Sequence, residues 1–130
     1  MAVNAFAYAK VVVGDSDALS PFYTEALGLT AAMRVEEGEG DQAFVEHFLV
    51  AGPGPAPQIV LISYKNRPAP PVGEAILAVS VDDVDATLAA IEAAGGRTTV
   101  PAFDIPEHKM RMAYATDPEG HTIELMRVGA

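Results

Sequence analysis

The chain has 130 residues, half of them hydrophobic, and its 18 acidic against 8 basic side chains give a net charge of −10. That length predicts one domain, and the acidic balance argues against a nucleic-acid partner, whose affinity depends on phosphate neutralisation by Lys and Arg. The sequence contains no cysteine, which excludes disulfides, thiolate nucleophiles and cysteine-based zinc sites.

The first half of the chain predicts a strand, a helix and three further strands. The segment 6–13 is short and ends in three β-branched valines, which is typical of a strand. Asp15 or Asp17 can then cap a helix that runs to about Leu27 and stops at Gly28. Three more strands are predicted at residues 31–36, 42–50 and 58–64, separated by a turn at 38–41 and a loop at 51–57.

The same order restarts after residues 65–73, a linker that three prolines make stiff. Residues 75–81 predict a strand, and Asp82 or Asp83 caps a helix that runs through Ala94. There follow a short strand at 98–100, an irregular loop at 101–109, and a hairpin of 110–116 and 121–128 around the turn DPEG. Because no segment has the roughly 20 apolar residues of a membrane helix and no signal-peptide pattern is present, we predict a cytoplasmic protein without a membrane partner.

An internal repeat relates the two halves of the chain. Adding 68 to the residue number takes Asp15 to Asp83 and Gly28 to Gly96. We therefore predict a single domain of two repeat units, at about residues 4–64 and 74–128. Since the one helix of each unit covers only one face of its sheet, the second unit, a partner chain or a ligand must cover the other.

Three stretches of the chain resemble a known superfamily. They are YAKVVVGDSDALSPFYTEALGL, AILAVSVDDVDATLAAIEAAGG and YATDPEGHTIELM, and they are similar to the vicinal oxygen chelate superfamily of glyoxalase I, extradiol dioxygenases, and fosfomycin- and bleomycin-resistance proteins. The resemblance implies an α+β fold of two βαβββ units that form a cup-shaped mixed sheet with helices on its convex face. It also implies a homodimer.

The resemblance locates four positions that hold a metal in the metal-dependent members. One His or Gln lies on the first strand of each unit, and one Glu lies on the last. Here these positions fall on Tyr8, Leu61, Ile76 and Glu124. Because two of them are aliphatic and a tyrosine is a poor ligand unless ionised, we predict no metal and no cofactor. A register error of two residues would bring Glu74 to the position of Ile76, whereas Gln58 should face away from the cup.

Strand alternation predicts which side chains face the cup. The residues predicted to face inward are 8, 10 and 12 on the first strand of unit one, 59, 61 and 63 on its last strand, and 76, 78 and 80 on the first strand of unit two. The strand at 42–50 is ambiguous: the family-like register turns Phe44, Glu46 and Phe48 inward, and the other turns Val45, His47 and Leu49. The predicted ligand-binding residues are Tyr8, Phe44, Glu46, Phe48, Leu61, Ile76, Met112, Tyr114 and Glu124.

The histidines offer little further chemistry. His121 is predicted at the surface, His108 lies in a plain loop or a lid over the cup, and His47 is a strand-face residue or a general base. Nothing in the sequence places a nucleophile, a base and an orienting acid together.

We therefore predict a metal-free protein that binds a small organic molecule in an apolar cup, and in its most concrete form one that sequesters a toxic or antibiotic compound. The acidic balance favours a ligand with a positive group. One alternative is a lyase, isomerase or epimerase of the same superfamily, with or without a divalent metal. A metal-free version would use Glu124 or Glu46 as base and Tyr8 as proton donor. Glutathione is disfavoured as a substrate, since the family's first-strand arginine falls on Val12. The other alternative is a structural or regulatory dimer with a closed cup.

Overall fold

The computed structural model describes residues 2–53 and 58–129, so part of the loop predicted at 51–57 lies outside the described residues. These residues form eight strands and two α-helices. In chain order the elements are β1 (Ala9–Val12), α1 (Ser16–Leu27), β2 (Thr30–Glu37), β3 (Phe44–Val50), β4 (Ile59–Tyr64), β5 (Ile76–Ser80), α2 (Val84–Ala93), β6 (Arg97–Ile105), β7 (Met110–Thr116) and β8 (Thr122–Val128).

The strands form two four-stranded sheets, ordered β1-β4-β3-β2 and β5-β8-β7-β6. In each sheet the first strand pairs parallel with the last, and the other pairs are antiparallel. The described chain divides into two compact units: unit one holds the residues up to Thr24 and Gly28–Pro70, and unit two holds Glu25–Leu27 and the residues from Pro71 onward. The fold is α+β with two βαβββ units, which confirms the predicted fold class.

Both helices begin at an aspartate that the repeat relates. The Asp15 side chain accepts a hydrogen bond from the Ala18 N–H at 3.1 Å, and the Asp83 side chain accepts one from the Ala86 N–H at 3.0 Å. Residues 68 positions apart therefore have the same structural role in the two units. The two hydrogen bonds show that Asp15, not Asp17, caps α1 and that Asp83, not Asp82, caps α2. Helix α1 ends as predicted at Gly28, whose positive φ of 68° suits a residue without a Cβ.

Strand β6 is longer than the sequence predicts. The prediction of a short strand at 98–100 and an irregular loop at 101–109 is wrong, because the strand continues through Pro101 to Ile105. β6 is an edge strand, where a missing N–H costs no ladder hydrogen bond. The pairing with β7 also shifts register between Val100 and Phe103, so an irregular ladder accommodates the proline.

A buried serine pair ties α1 to the sheet of unit one. Ser16 is fully buried, and its backbone N–H donates to the Ser63 hydroxyl oxygen at 3.0 Å. The Ser16 hydroxyl donates to the backbone oxygen of Val45 at 2.8 Å. The bond to Ser63 identifies the face of the sheet that carries α1, because the Ser63 side chain must point toward the helix to make it, and Val45 lies opposite Ser63 in the ladder.

In unit two, α2 packs on the sheet through an apolar stripe. Its buried residues are Val84, Leu88 and Ile91. Ile123 and Leu125 of β8 are also fully buried. Since burying such a side chain stabilises by about 1.5–3 kcal/mol, the stripe fixes which face of the sheet the helix covers.

In the part of the chain that the structure describes, no helix is long and apolar enough to cross a membrane.

Candidate functional site

Each sheet has one face that carries its helix and an opposite face, which we call the helix-free face. Residues that lie directly opposite each other in a ladder share a face. In unit one, Leu61 lies beside Val11 and two residues before Ser63, which contacts α1. Leu61 is therefore on the helix-covered face and is fully buried.

The prediction that Leu61 faces the ligand together with Tyr8 is wrong, and the same applies to Ile59 and Ser63. The assumed register of β4 is off by one residue, and such a slip moves every side chain of a strand to the other face. The β4 residues on the helix-free face are Val60 and Ile62, which pair with Lys10 and Val12 of β1.

The structure resolves the ambiguity of β3 in favour of the family-like register. Glu46 lies opposite Ile62, and Phe48 lies opposite Val60, so both are on the helix-free face. His47 points to the other side, where its Nε2 lies 2.7 Å from the Asp17 carboxylate of α1. His47 is thus a helix-anchoring strand residue, and this contact removes it as a base for the helix-free face.

An ion pair occupies the helix-free face of unit one. The Lys10 ammonium donates to Glu46 Oε2 at 2.8 Å, with the Glu46 side chain 7% exposed and the Lys10 side chain 41% exposed. The hydrogen bond to Glu46 raises the pKa of Lys10 above its ordinary value. Tyr8 stands edge-to-face against Phe48, with ring centroids 5.6 Å apart. Strand alternation predicted that Lys10 lies on this face. No feature of the sequence predicted its contact with Glu46, which is 36 residues away.

Unit two places its predicted site residues together on its helix-free face. Glu124 lies between Ala78 of β5 and Tyr114 of β7. Ile76 and Met112 are on the same face, opposite Thr122 and Met126 respectively. Glu124 is half-buried, and its carboxylate forms no hydrogen bond or ion pair with any residue in 2–53 or 58–129.

The residues at the four family positions do not fit a divalent metal, which requires several nitrogen or oxygen donors. Tyr8 and Glu124 are polar, Ile76 is aliphatic, and the β4 residues on the correct face are Val60 and Ile62. Glu74, the residue that a two-residue shift would bring in, is exposed and precedes β5. Within the described ranges, no three His, Cys, Asp or Glu residues are grouped so that they could hold a metal ion.

His121 is buried, so its predicted surface position is wrong. Its ring Nδ1 lies 2.9 Å from Asp117 Oδ2, and the exposed fractions of the two residues are 7% and 2%. Asp117 Oδ1 also accepts the backbone N–H groups of Glu119 and His121, at 2.9 and 3.0 Å. The pair therefore fixes the DPEG turn that leads Glu124 into β8. His108 lies exposed in the turn Pro106–His108.

A cavity of about 250 Å³ that the sequence did not predict lies at the start of α2 in unit two. It is lined by Asp82, Asp83, Val84, Asp85, Arg111 and Arg127. Arg111 binds the Asp85 carboxylate through two nitrogens, at 3.0 and 3.1 Å. The cavity is on the helix-covered side, and its paired charges join α2 to β7.

Comparison with known proteins places these features in context. The family model described as "Glyoxalase/Bleomycin resistance protein/Dioxygenase superfamily" matches residues 5–125. A protein of Vibrio parahaemolyticus named "Probable lactoylglutathione lyase" is 31% identical over 118 residues, which cover 88% of this chain and 84% of that protein. An Arabidopsis thaliana protein named "Probable lactoylglutathione lyase, chloroplastic" is 28% identical over 120 residues, and the chain spans only 34% of its length.

Solved structures show the same fold. The crystal structure of a glyoxalase family protein from Bacillus cereus superposes with a TM-score of 0.83 at 17% identity, over 100% of this chain and 97% of that one. At this identity the likeness shows the fold alone.

Proposed function

The chain belongs to the glyoxalase/bleomycin resistance protein/dioxygenase superfamily, and on that premise we propose that it is a lyase or isomerase that moves a proton on a small carbonyl compound. The similarity to a protein named as a lyase, at 31% identity, supports an enzyme over a protein that only binds. The observation that carries the proposal is the Glu124–Tyr114 pair on the helix-free face of unit two.

The pair offers a base and an acid to one small molecule. Side chains directly opposite each other in an antiparallel ladder have Cβ atoms about 5 Å apart, so both can contact the same substrate. Glu124, whose carboxylate has no partner among the described residues, accepts the proton from the carbon next to the carbonyl. The Tyr114 hydroxyl donates to the carbonyl oxygen, where negative charge develops. Glu124 then returns its proton to the former carbonyl carbon, and Tyr114 recovers a proton from the hydroxyl of the neighbouring carbon as that group becomes the new carbonyl.

The substrate we propose is an uncharged dicarbonyl compound or its adduct with a neutral thiol. A glutathione adduct is anionic, and the chain carries a net charge of −10. The residue at the position of the family's arginine is Val12, an aliphatic side chain that cannot bind an anion. The substrate of this chain would therefore differ from the one in the names of its relatives.

The test follows the proton exchange of methylglyoxal and of its 2-mercaptoethanol and glutathione adducts by NMR in D₂O, with chelator-treated protein. We expect turnover of methylglyoxal or the neutral adduct, lost about 100-fold or more in Glu124→Gln and partly lost in Tyr114→Phe. Glu25→Gln, an identical change at an exposed residue of α1, is the matched control and should leave the rate unchanged.

Two outcomes would contradict the proposed chemistry. An unchanged rate in Glu124→Gln would remove the base. Turnover that appears only after nickel, zinc or manganese is added, with saturable metal binding in calorimetry that Glu124→Gln abolishes, would instead indicate a metal-dependent enzyme.

A second candidate is a protein that binds and sequesters a small organic molecule without turning it over. The observation that favours it is the apolar side chain at a family ligand position, since Ile76 is 58% exposed on the helix-free face of unit two. Val100 and Phe103 of β6 lie opposite Tyr114 and Met112 and are also exposed on this face, and an apolar patch of this kind often marks a binding site. Saturable binding of an aromatic compound without product formation, abolished by Ile76→Glu, would support this candidate over the enzyme.

A further inference from the structure

The ion pair of Lys10 and Glu46 lies in apolar surroundings on the helix-free face of unit one. Their neighbours across the ladders are Val60 and Ile62. A carboxylate that is only 7% exposed would be costly there without a compensating charge. The Lys10 ammonium supplies that charge.

The Lys10 ammonium has N–H donors that Glu46 does not use. A lysine carries three N–H donors, and Glu46 accepts one of them at 2.8 Å. In the described part of the chain no other acceptor contacts Lys10, whose side chain is 41% exposed. Its nitrogen also lies 6.0 Å from the centroid of the Tyr8 ring, and Tyr8 in turn stands against Phe48.

We propose that Lys10 is a binding residue for the carbonyl oxygen of a planar, uncharged ligand whose flat part lies against Tyr8 and Phe48. A cationic ligand would meet the ammonium, and an anionic one would meet the Glu46 charge as well as the acidic chain. A neutral carbonyl accepts the free N–H without either repulsion, and aromatic rings favour a flat partner. The site uses residues of unit one alone and does not rest on the chemistry proposed for Glu124.

The test is an NMR titration of isotope-labelled protein with acetophenone, and with benzoate and benzylamine as anionic and cationic probes of similar size. Acetophenone should shift the signals of Lys10, Tyr8 and Phe48. Lys10→Met should weaken its binding about tenfold, as expected for loss of a hydrogen bond to a charged donor. Lys65→Met is the matched control, because Lys65 also pairs with a glutamate, Glu36, and is similarly exposed at 45%.

A second pair of variants guards against misfolding and separates a binding role from a structural one. Lys10→Met with Glu46→Gln removes both charges at once and should fold while still losing the acetophenone site. Glu46→Gln alone keeps an acceptor for Lys10 but removes the negative charge, so benzoate should bind several-fold more tightly than it binds the wild type.

Three results would overturn the proposal. The first is an acetophenone Kd that is the same in the wild type, Lys10→Met and the double variant. The second is a set of shifted signals that excludes Tyr8 and Phe48. The third is tighter binding of benzylamine than of acetophenone by the wild type.

Discussion

Replacing Asp117 by alanine should destabilise the protein more than almost any other change at a polar residue. The carboxylate is 2% exposed and accepts the backbone N–H groups of Glu119 and His121, at 2.9 and 3.0 Å. It also contacts the His121 ring nitrogen at 2.9 Å. Asp117→Ala leaves these donors without that acceptor in the interior of the turn.

The magnitude follows from how deeply each donor is buried. An unsatisfied buried donor costs about 1–3 kcal/mol. The His121 N–H and ring are buried, whereas the Glu119 N–H is only partly so, and removing a buried carboxylate recovers part of its desolvation cost. We expect a loss of about 3 kcal/mol. Asp117→Asn keeps an acceptor at Oδ1 and should lose about 1 kcal/mol.

The assay is urea unfolding followed by circular dichroism, since the chain has no tryptophan to report by fluorescence. Asp41→Ala, at an exposed aspartate in another turn, is the control and should cost less than about 0.5 kcal/mol. His121→Ala combined with Asp117→Ala should cost less than the sum of the two single changes, because the residues share a contact. A loss for Asp117→Ala no larger than that of the control would refute the reasoning.

Two further predictions test the burial of Leu61 and the anchoring of α1. Leu61→Ala, at a fully buried residue, should cost about 2–5 kcal/mol of unfolding free energy, and Ile76→Ala, at one 58% exposed, under about 1 kcal/mol; equal losses in urea unfolding would contradict this difference in burial. The hydrogen bond from Arg34, and to a smaller extent that from His47, holds the pKa of Asp17 well below its ordinary value of 3.8. The contribution of the Asp17 carboxylate to the stability of the fold should therefore be present above that pH and fade as the pH falls through the depressed pKa. The stability difference between wild type and Asp17→Asn, measured by urea titration at a series of pH values, should therefore shrink below about pH 3.8 and in high salt, and a difference independent of pH would be evidence against it.

Local signals in the sequence predicted much of the fold. Asp15 and Gly28 delimit α1 by their own chemistry, and the DPEG turn sets the hairpin that brings Glu124 to the helix-free face. β4 offered no such signal, because Val60, Leu61 and Ile62 in succession are all buried and an apolar run has no alternation from which to read its faces.

Contacts between distant residues are what the sequence could not provide. Lys10 and Glu46 meet only because β1 and β3 both flank β4. The ligand and the roles of the site residues stay predictions that the experiments above address, and the homodimer also stays a prediction.

The position of β1 at the edge of its sheet has a consequence for motion. β1 has four residues and one neighbour, β4, which lies some fifty positions along the chain, so the strand gains little from local contacts. Segments of this kind open at a small free-energy cost, and the amide protons of β1 should exchange with solvent before those of β3 and β4. Because Lys10 lies on β1, the same opening would release its ammonium from Glu46. A ligand that holds Lys10 would therefore also slow the exchange of the whole strand.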